Sequence, residues 1–106
     1  MAVIAVLTNL PDSTSAFNLA REVVRLRLAA CANVLAPVTS FYRWEGREEQ
    51  ASEVPVLIKT TVDRYAALEA EIRKRHSYDT PEIIAWPITH GLPGYLQWVE
   101  AESRPA

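Results

Sequence analysis

The order of strand-like and helix-like segments restricts the fold of this chain more than any other feature of its sequence. Residues 2–8 are a continuous apolar, β-favouring run, which predicts a strand buried on both faces at the centre of a sheet. Asp12 then offers an N-cap oxygen, and Leu19 and Val23 recur at helical spacing beyond it. An amphipathic helix that ends near Leu28 is therefore predicted to follow the first strand.

A long β-hairpin is predicted next. Residues 32–44 are rich in β-branched and aromatic side chains, but Pro37 interrupts them and predicts a bend or a bulge. Residues 53–61 alternate in the manner of a strand, while residues 45–52 are charged and predict a solvated hairpin tip. Because Pro55 has no N–H to donate, it predicts an edge or an irregularity at its position in the sheet.

The rest of the chain predicts a helix, a strand and a short final helix. Asp63 can cap the second helix, which is predicted to end near His76. Residues 82–88 are a short β-branched run closed by turn residues, and they predict the fourth strand. Pro93 suits the first turn of the last helix.

Together these segments follow the split βαβ pattern of the ferredoxin-like α+β fold. Right-handed crossovers place the two main helices on one face of a four-stranded antiparallel sheet and leave the other face bare. Aromatic side chains such as Phe41, Trp86 and Trp98 are more numerous than one helix-covered face needs. An exposed apolar face of that size predicts a partner subunit.

Composition limits the classes of function. The chain has 106 residues, 49% of them hydrophobic, so residues 1–106 are predicted to form a single domain. The formal net charge of -2 provides no basic surface for nucleic acid or anionic lipid, and no segment resembles a membrane span. The single cysteine, Cys31, cannot form an internal disulfide, which predicts a reducing, cytoplasmic location.

Short motifs are spread along nearly the whole chain, and their combination and order are highly specific. They are TNLPD at residues 8–12, LAACANV at 28–34, TSFYRWEG at 39–46, SEV and KT at 52–54 and 59–60, HSYDTPE at 76–82, and GYLQW at 94–98.

This set resembles the signature of the CutA-type divalent-cation tolerance family, in which the corresponding motifs read LAACVN, TSxYxWEG, SEVxxxIKT, HPYExPE and xYLxW. The chain departs from that pattern at Ser77, where the family usually has proline, and at Asp79, where Glu or Gln is common. Pro55, inside a strand motif, is a third departure.

The resemblance implies a ferredoxin-like protomer, a homotrimer built by edge pairing of long hairpins, and an architecture similar to that of PII signal-transduction proteins. It also implies an association with tolerance to copper and other divalent cations. No catalytic mechanism comes with the motifs, so the chain is predicted to be a metal-binding or sensor trimer in divalent metal ion homeostasis and not an enzyme. The alternative is a structural or signalling trimer that binds a small molecule or a protein at clefts between subunits.

An enzyme of the acylphosphatase type is a further hypothesis, since those proteins also use a ferredoxin-like fold. Their phosphate cradle needs an arginine in the first strand-to-helix loop. Residues 9–13 of this chain contain none. The sequence therefore disfavours that enzyme class.

Four residues are candidate metal ligands: Cys31, His76, His90 and Glu82. No obligatory cofactor is predicted, and copper or another divalent cation is the candidate ligand. A thiolate suits Cu(I), so Cys31 should dominate Cu(I) binding, whereas Cu(II) should prefer the imidazoles with carboxylates such as Glu82. Three of these residues also have a plainer interpretation: a buried small hydrophobe for Cys31, helix-dipole pairing for His76, and a solvated turn for His90.

Trp44, Lys59, Tyr78 and Trp98 are the candidate residues of a cleft or interface between subunits. They lie in or close to the motifs, and a subunit boundary could gather such groups into a polar-lined pocket. The alternative is that these residues serve oligomerisation alone.

Overall fold

The computed structural model describes residues 2–106, which form five strands and three helices. The strands are β1 (Val3–Leu10), β2 (Cys31–Val34), β3 (Val38–Trp44), β4 (Arg47–Thr61) and β5 (Ile83–Pro87). The helices are α1 (Ser13–Arg25), α2 (Tyr65–Arg75) and α3 (Pro93–Glu102), and a 3-10 turn at Val62–Arg64 precedes α2.

β1 lies in the interior of the antiparallel sheet, as the apolar run at residues 2–8 predicts. On one side Val6 pairs with Ile58 of β4, and on the other it pairs with Ala85 of β5. β2 completes the order β2-β4-β1-β5, and β3 also pairs with β4. With α1 after β1 and α2 after β4, this is the predicted ferredoxin-like arrangement.

The first strand of the predicted hairpin is divided into β2 and β3, so the sheet has five strands instead of the predicted four. The break falls at residues 35–37 and includes Pro37. Beside it, the carbonyl of Pro55 accepts a hydrogen bond of 2.9 Å from the N–H of Leu35. Since the N–H and C=O of a strand residue point to the same side, the missing N–H of Pro55 also faces this break. Pro55 thus marks an irregularity, but β4 is an interior strand.

The turn between β3 and β4 is shorter than the charged segment 45–52. Trp44 pairs with Arg47, so only Glu45 and Gly46 form the turn. Both have positive φ, 51° and 78°, as in the type I′ turns that join strands through two residues. Residues 45–52 are mostly exposed, as predicted for a solvated hairpin tip, but they are largely strand and not turn, because β4 begins at Arg47.

α1 and α2 cover one face of the sheet. Ile4 and Val6 of β1 and Ile58 of β4 are at most 7% exposed and share a core with Leu19 of α1 and Leu68 of α2. Because strand side chains alternate between faces, every second residue of β1 and β4 enters this core. Its burial is the main contribution to the stability of the fold.

α3 packs on the opposite face, which the sequence analysis leaves bare. Val99 of α3 is fully buried against Val3 of β1 and Ala30. On the same face, Ile84 and Trp86 of β5 remain 49% and 43% exposed. The prediction of a bare face is therefore correct only for the part of the sheet beyond α3.

Asp12 caps α1 as predicted. Its carboxylate accepts a 2.8 Å hydrogen bond from the N–H of Ser15, which lowers the pKa of Asp12. The helix ends at Arg25 and not near Leu28, because the chain turns sharply at Arg27, whose φ is 58°.

The predicted cap of α2 is wrong. Asp63, in the 3-10 turn, accepts a 2.6 Å hydrogen bond from the hydroxyl of Thr61 at the end of β4, and no side chain caps α2. The helix ends at Arg75, next to the predicted position. None of the helices in residues 2–106 is both long and apolar enough to cross a membrane.

Candidate functional site

A cleft of about 760 Å³ lies between the β3–β4 hairpin and the segment that joins α2 to β5. Alternation places Ser40 and Trp44 of β3 and Glu53 of β4 on the same hairpin face, and all three line the cleft. Residues 77–80 and Glu82 form the opposite wall. The cleft exists because the hairpin continues beyond the end of β1 and passes this segment.

Asn9, at the end of β1, holds the second wall in place. Nε2 of His76 donates a hydrogen bond of 2.6 Å to the backbone carbonyl of Asn9, and the imidazole packs on Tyr78 with 4.6 Å between ring centroids. The side-chain amide of Asn9 donates to Oε1 of Glu82 at 3.2 Å. One strand residue thus anchors both ends of the segment from His76 to Glu82.

Glu53 and Tyr78 connect the two walls. Glu53 is only 9% exposed, and the hydroxyl of Tyr78 donates a hydrogen bond to its carboxylate. Burial of the phenol raises the pKa of Tyr78 to about 12, and the charge and hydrogen bond of Glu53 add to the rise. Tyr78 therefore stays protonated at neutral pH and presents a neutral donor to a buried carboxylate.

We expect a pH titration of tyrosine absorbance to show one phenol that ionises near pH 12. The Tyr78→Phe variant should lack this phase. Because the pKa of Tyr78 is raised from 10.0, the neutral phenol stabilises the fold below about pH 10, and this contribution is lost as the pH rises towards 12. In Glu53→Gln the phenol should ionise at a lower pH, since the nearby negative charge is gone. An unchanged titration in Glu53→Gln would contradict the assignment.

A second polar cluster lies near the other end of β4. Cys31 of β2 pairs with Lys59, so their side chains point to the same face of the sheet. Nζ of Lys59 donates to Oδ1 of Asn33, and Sγ of Cys31 lies 3.7 Å from the same oxygen. Burial raises the pKa of Tyr95 of α3, and the neighbouring Cys31 adds to the rise. Trp98 packs against Tyr95 at 5.7 Å between ring centroids.

All candidate residues except His90 lie at one of these two clusters. The clusters are about 20 Å apart, because Glu53 and Lys59 are six positions apart on β4. His90 belongs to neither, since it lies before α3 with Nδ1 3.0 Å from Oγ1 of Thr89. Within residues 2–106, no three His, Cys, Asp or Glu side chains converge as a metal site requires. Glu82, Trp44 and Tyr78 line the cleft, and His76 supports its second wall without lining it. Cys31, Lys59 and Trp98 are at the second cluster.

Glu53, Asn9 and Asn33 are site residues that the sequence analysis misses. Glu53 has one usable signal, because an acidic residue directly before the apolar residues 54–58 is unusual for a buried strand. Asn9 and Asn33 act through contacts with residues 73 and 26 positions away. No local spacing in the sequence indicates such contacts.

Comparison with known proteins gives a consistent result over nearly the full length. The family model for CutA1 divalent ion tolerance proteins matches residues 4–102. The divalent-cation tolerance protein CutA of Escherichia coli is 43% identical over 103 residues, which are 97% of this chain and 92% of that protein. The crystal structure of CutA1 from Oryza sativa superposes with a TM-score of 0.95 at 33% identity, covering 100% of this chain and 97% of that one.

A third relative bears on location. The divalent cation tolerance protein CutA of Archaeoglobus fulgidus, described as periplasmic, superposes with a TM-score of 0.92 at 33% identity, covering 96% of this chain and 99% of that chain. A similar fold thus carries a periplasmic description, and a cytoplasmic location stays a prediction for this chain.

Proposed function

Because the chain belongs to the family of CutA1 divalent ion tolerance proteins, we propose that it acts as a homotrimer that binds a divalent cation or a small ligand and catalyses no reaction. Residues 1–106 form one domain in this proposal, and the lone cysteine supports a reducing, cytoplasmic location. The ligand sites lie at subunit boundaries.

The β3–β4 hairpin is the observation that carries this proposal. From Arg47 to Glu53, β4 pairs with β3 only, since its pairing with β1 begins at Val54. An isolated two-stranded hairpin is marginally stable in water, and its free edges favour pairing with another chain. Phe41 and Trp44 on this hairpin are 75% and 47% exposed. Hairpins of neighbouring copies would pair the edges and cover these aromatic side chains.

The uncovered part of the sheet supports the same assembly. Ile84 and Trp86 on β5 form an exposed apolar surface beside α3. Closed symmetric oligomers bury such surfaces, and a threefold arrangement buries the same patch in every copy. The proposed trimer therefore has two contact regions, the hairpin and this sheet face.

Threefold symmetry also bears on metal binding. Each candidate ligand occurs three times in a trimer, so copies of one residue can converge, or different residues can meet across a boundary. In this proposal Cys31 supplies the thiolate for Cu(I), while His76, His90 and Glu82 are the candidates for Cu(II). Since no three His, Cys, Asp or Glu side chains of residues 2–106 converge within one protomer, the metal site of this proposal forms on assembly.

A second candidate function is a signalling or scaffolding trimer that binds a small molecule or a protein partner. The cleft between the hairpin and residues 77–82 favours it, because its volume of about 760 Å³ is typical of small-molecule sites. Trp44 and Tyr78 line this cleft. Lys59 and Trp98 would serve a separate boundary near α3.

We expect sedimentation at micromolar concentration to give the mass of three chains. The trimer should persist on dilution, because the hairpin edges and the sheet face are both unfavourable in water. A stable monomer at this concentration would contradict the proposed assembly and every ligand site placed at its boundaries.

Calorimetric titration with Cu(I) and Cu(II) separately tests the metal-binding role. We expect Cys31→Ser to weaken Cu(I) binding most, and His76→Ala to weaken Cu(II) binding more than Cu(I) binding. His90→Ala reports whether the second imidazole contributes. If wild type binds neither ion, the metal role is rejected and the second candidate function is the better account.

A further inference from the structure

The cleft contains a buried negative charge that the described part of the protomer does not balance. Glu53 is 9% exposed, and none of the ion pairs among residues 2–106 includes it. Its hydrogen-bond partner, Tyr78, is neutral. Burial of a carboxylate is costly unless a cation or several donors offset the lost hydration. A cationic ligand in the cleft would supply that positive charge.

The rest of the lining carries the same sign of charge. Asp79 and Glu82 add two carboxylates on the opposite wall, and none of the described lining residues is Lys, Arg or His. The amide of Asn9, which donates to Glu82, is neutral as well. The electrostatic complement of the cleft is therefore a cation.

We propose that this cleft binds a protonated alkyl amine of the polyamine class, with Glu53 as the ion-pair partner of one ammonium group. Asp79 and Glu82 accept a second ammonium group of the same molecule. This proposal rests on the ligand-binding role proposed above, but it requires no metal.

The walls favour an organic cation over a metal ion. Tyr42, Trp44 and Tyr78 supply aromatic side chains, which attract ammonium groups and pack against methylene chains. A metal ion instead needs several oxygen ligands at close range. No three His, Cys, Asp or Glu side chains of residues 2–106 converge in that way, and the cleft is large enough for a drug-sized molecule.

The polar groups favour an amine with N–H donors over a quaternary ammonium. An ionised carboxylate has about four acceptor positions, and Tyr78 fills one of those on Glu53. The remaining positions suit charge-assisted hydrogen bonds from an ammonium N–H. The hydroxyls of Ser40 and Thr80, which also line the cleft, offer further acceptors.

Isothermal titration of the wild-type protein tests this proposal with four probes: spermidine, putrescine, tetramethylammonium and Mg²⁺. We expect spermidine to bind once per protomer and more tightly than putrescine, because it carries more charge. Tetramethylammonium lacks N–H donors and should bind at least about tenfold more weakly than spermidine. Mg²⁺ should not compete at equal concentration.

Variants locate the binding. Glu53→Gln keeps the size of the side chain but removes its charge, and it should weaken spermidine binding about tenfold or more, as loss of a charged hydrogen bond does. Glu82→Gln, on an exposed residue, gives the same test if Glu53→Gln fails to fold. Glu48→Gln is the matched control, because Glu48 pairs with Arg43 on the other face of the hairpin and should leave affinity unchanged.

Several results would overturn the proposal: no spermidine binding by the wild type, equal binding of Mg²⁺, or unchanged affinity in both Glu53→Gln and Glu82→Gln. If wild type binds no amine and Glu53→Gln alters the subunit mass, the cation in the cleft is a side chain of another copy. Spermidine binding that survives failure of the copper titrations would uphold this inference while rejecting the metal role, so the two failures are distinguishable.

Discussion

Replacing Ile58 with Ala is expected to lower the free energy of unfolding by about 2–5 kcal/mol, the usual cost of truncating a buried aliphatic side chain to Ala. Ile58 is fully buried in the interior strand β4, between Val6 of β1 and Ala32 of β2. It also belongs to the core beneath α1 and α2. Rigid strands on both sides limit collapse around the cavity, so the loss should lie well inside this range.

Urea unfolding at one fixed protein concentration measures the effect, since assembly makes apparent stability concentration-dependent. Leu92→Ala is the control, because it also removes three carbon atoms but at a residue that is 74% exposed. Surface substitutions usually change stability by less than about 0.5 kcal/mol. Equal losses in the two variants would show that the face with α1 and α2 does not hold the main core.

The importance of Ile58 follows from the sequence, since the alternation at Val54, Val56 and Ile58 requires one buried face. The same reasoning fails at residues 47–52. Both faces of the hairpin are exposed in the protomer, so burial imposes no apolar alternation there. A strand without that pattern is easily taken for a charged loop. Gly46 is the better sequence signal, because glycine readily takes the positive φ that a two-residue turn needs.

The start of a helix is also difficult to predict from the sequence alone. Asp12 and Asp63 both precede helices and have the same capping chemistry. Only Asp12 caps, because the hydroxyl of Thr61 binds Asp63 inside a 3-10 turn that comes before α2. The Asp63 carboxylate could accept a hydrogen bond either from the first turn of α2 or from Thr61. The capping propensity of Asp does not decide between these two partners.

The sequence identifies individual residues of the candidate site, but it does not show which of them lie together. The motifs single out Trp44 and Tyr78, and the structure places both at one cleft. Cys31 and His76 are both candidate metal ligands, one for Cu(I) and one for Cu(II), and they belong to different clusters. Their separation depends on how far β4 extends past β1, which is a property of sheet register and not of residue spacing.

Replacing Trp44 with Ala is expected to dissociate the proposed trimer into smaller species. Truncation of a buried aromatic side chain costs about 3–5 kcal/mol, and three copies of the contact would be lost at once. In the protomer Trp44 is 47% exposed at the end of the hairpin, so nearly half of it is left for a neighbouring subunit to cover. The mass measured by sedimentation and the thermal midpoint should both fall in Trp44→Ala. Trp44→Phe should retain most of the assembly.

Trp44 also lines the cleft, so subunit mass and spermidine affinity must be measured on the same preparations. Phe41→Ala is an informative comparison, because Phe41 also borders the cleft but belongs to the opposite hairpin face, where its cross-strand partner is Gln50. If Trp44→Ala loses amine affinity while mass and thermal midpoint stay unchanged, Trp44 is a wall of the cleft and not an anchor of assembly. If mass falls in Trp44→Ala but not in Phe41→Ala, the hairpin face that carries Trp44 and Glu53 is the one that meets the neighbouring subunit, and the amine site lies at that boundary.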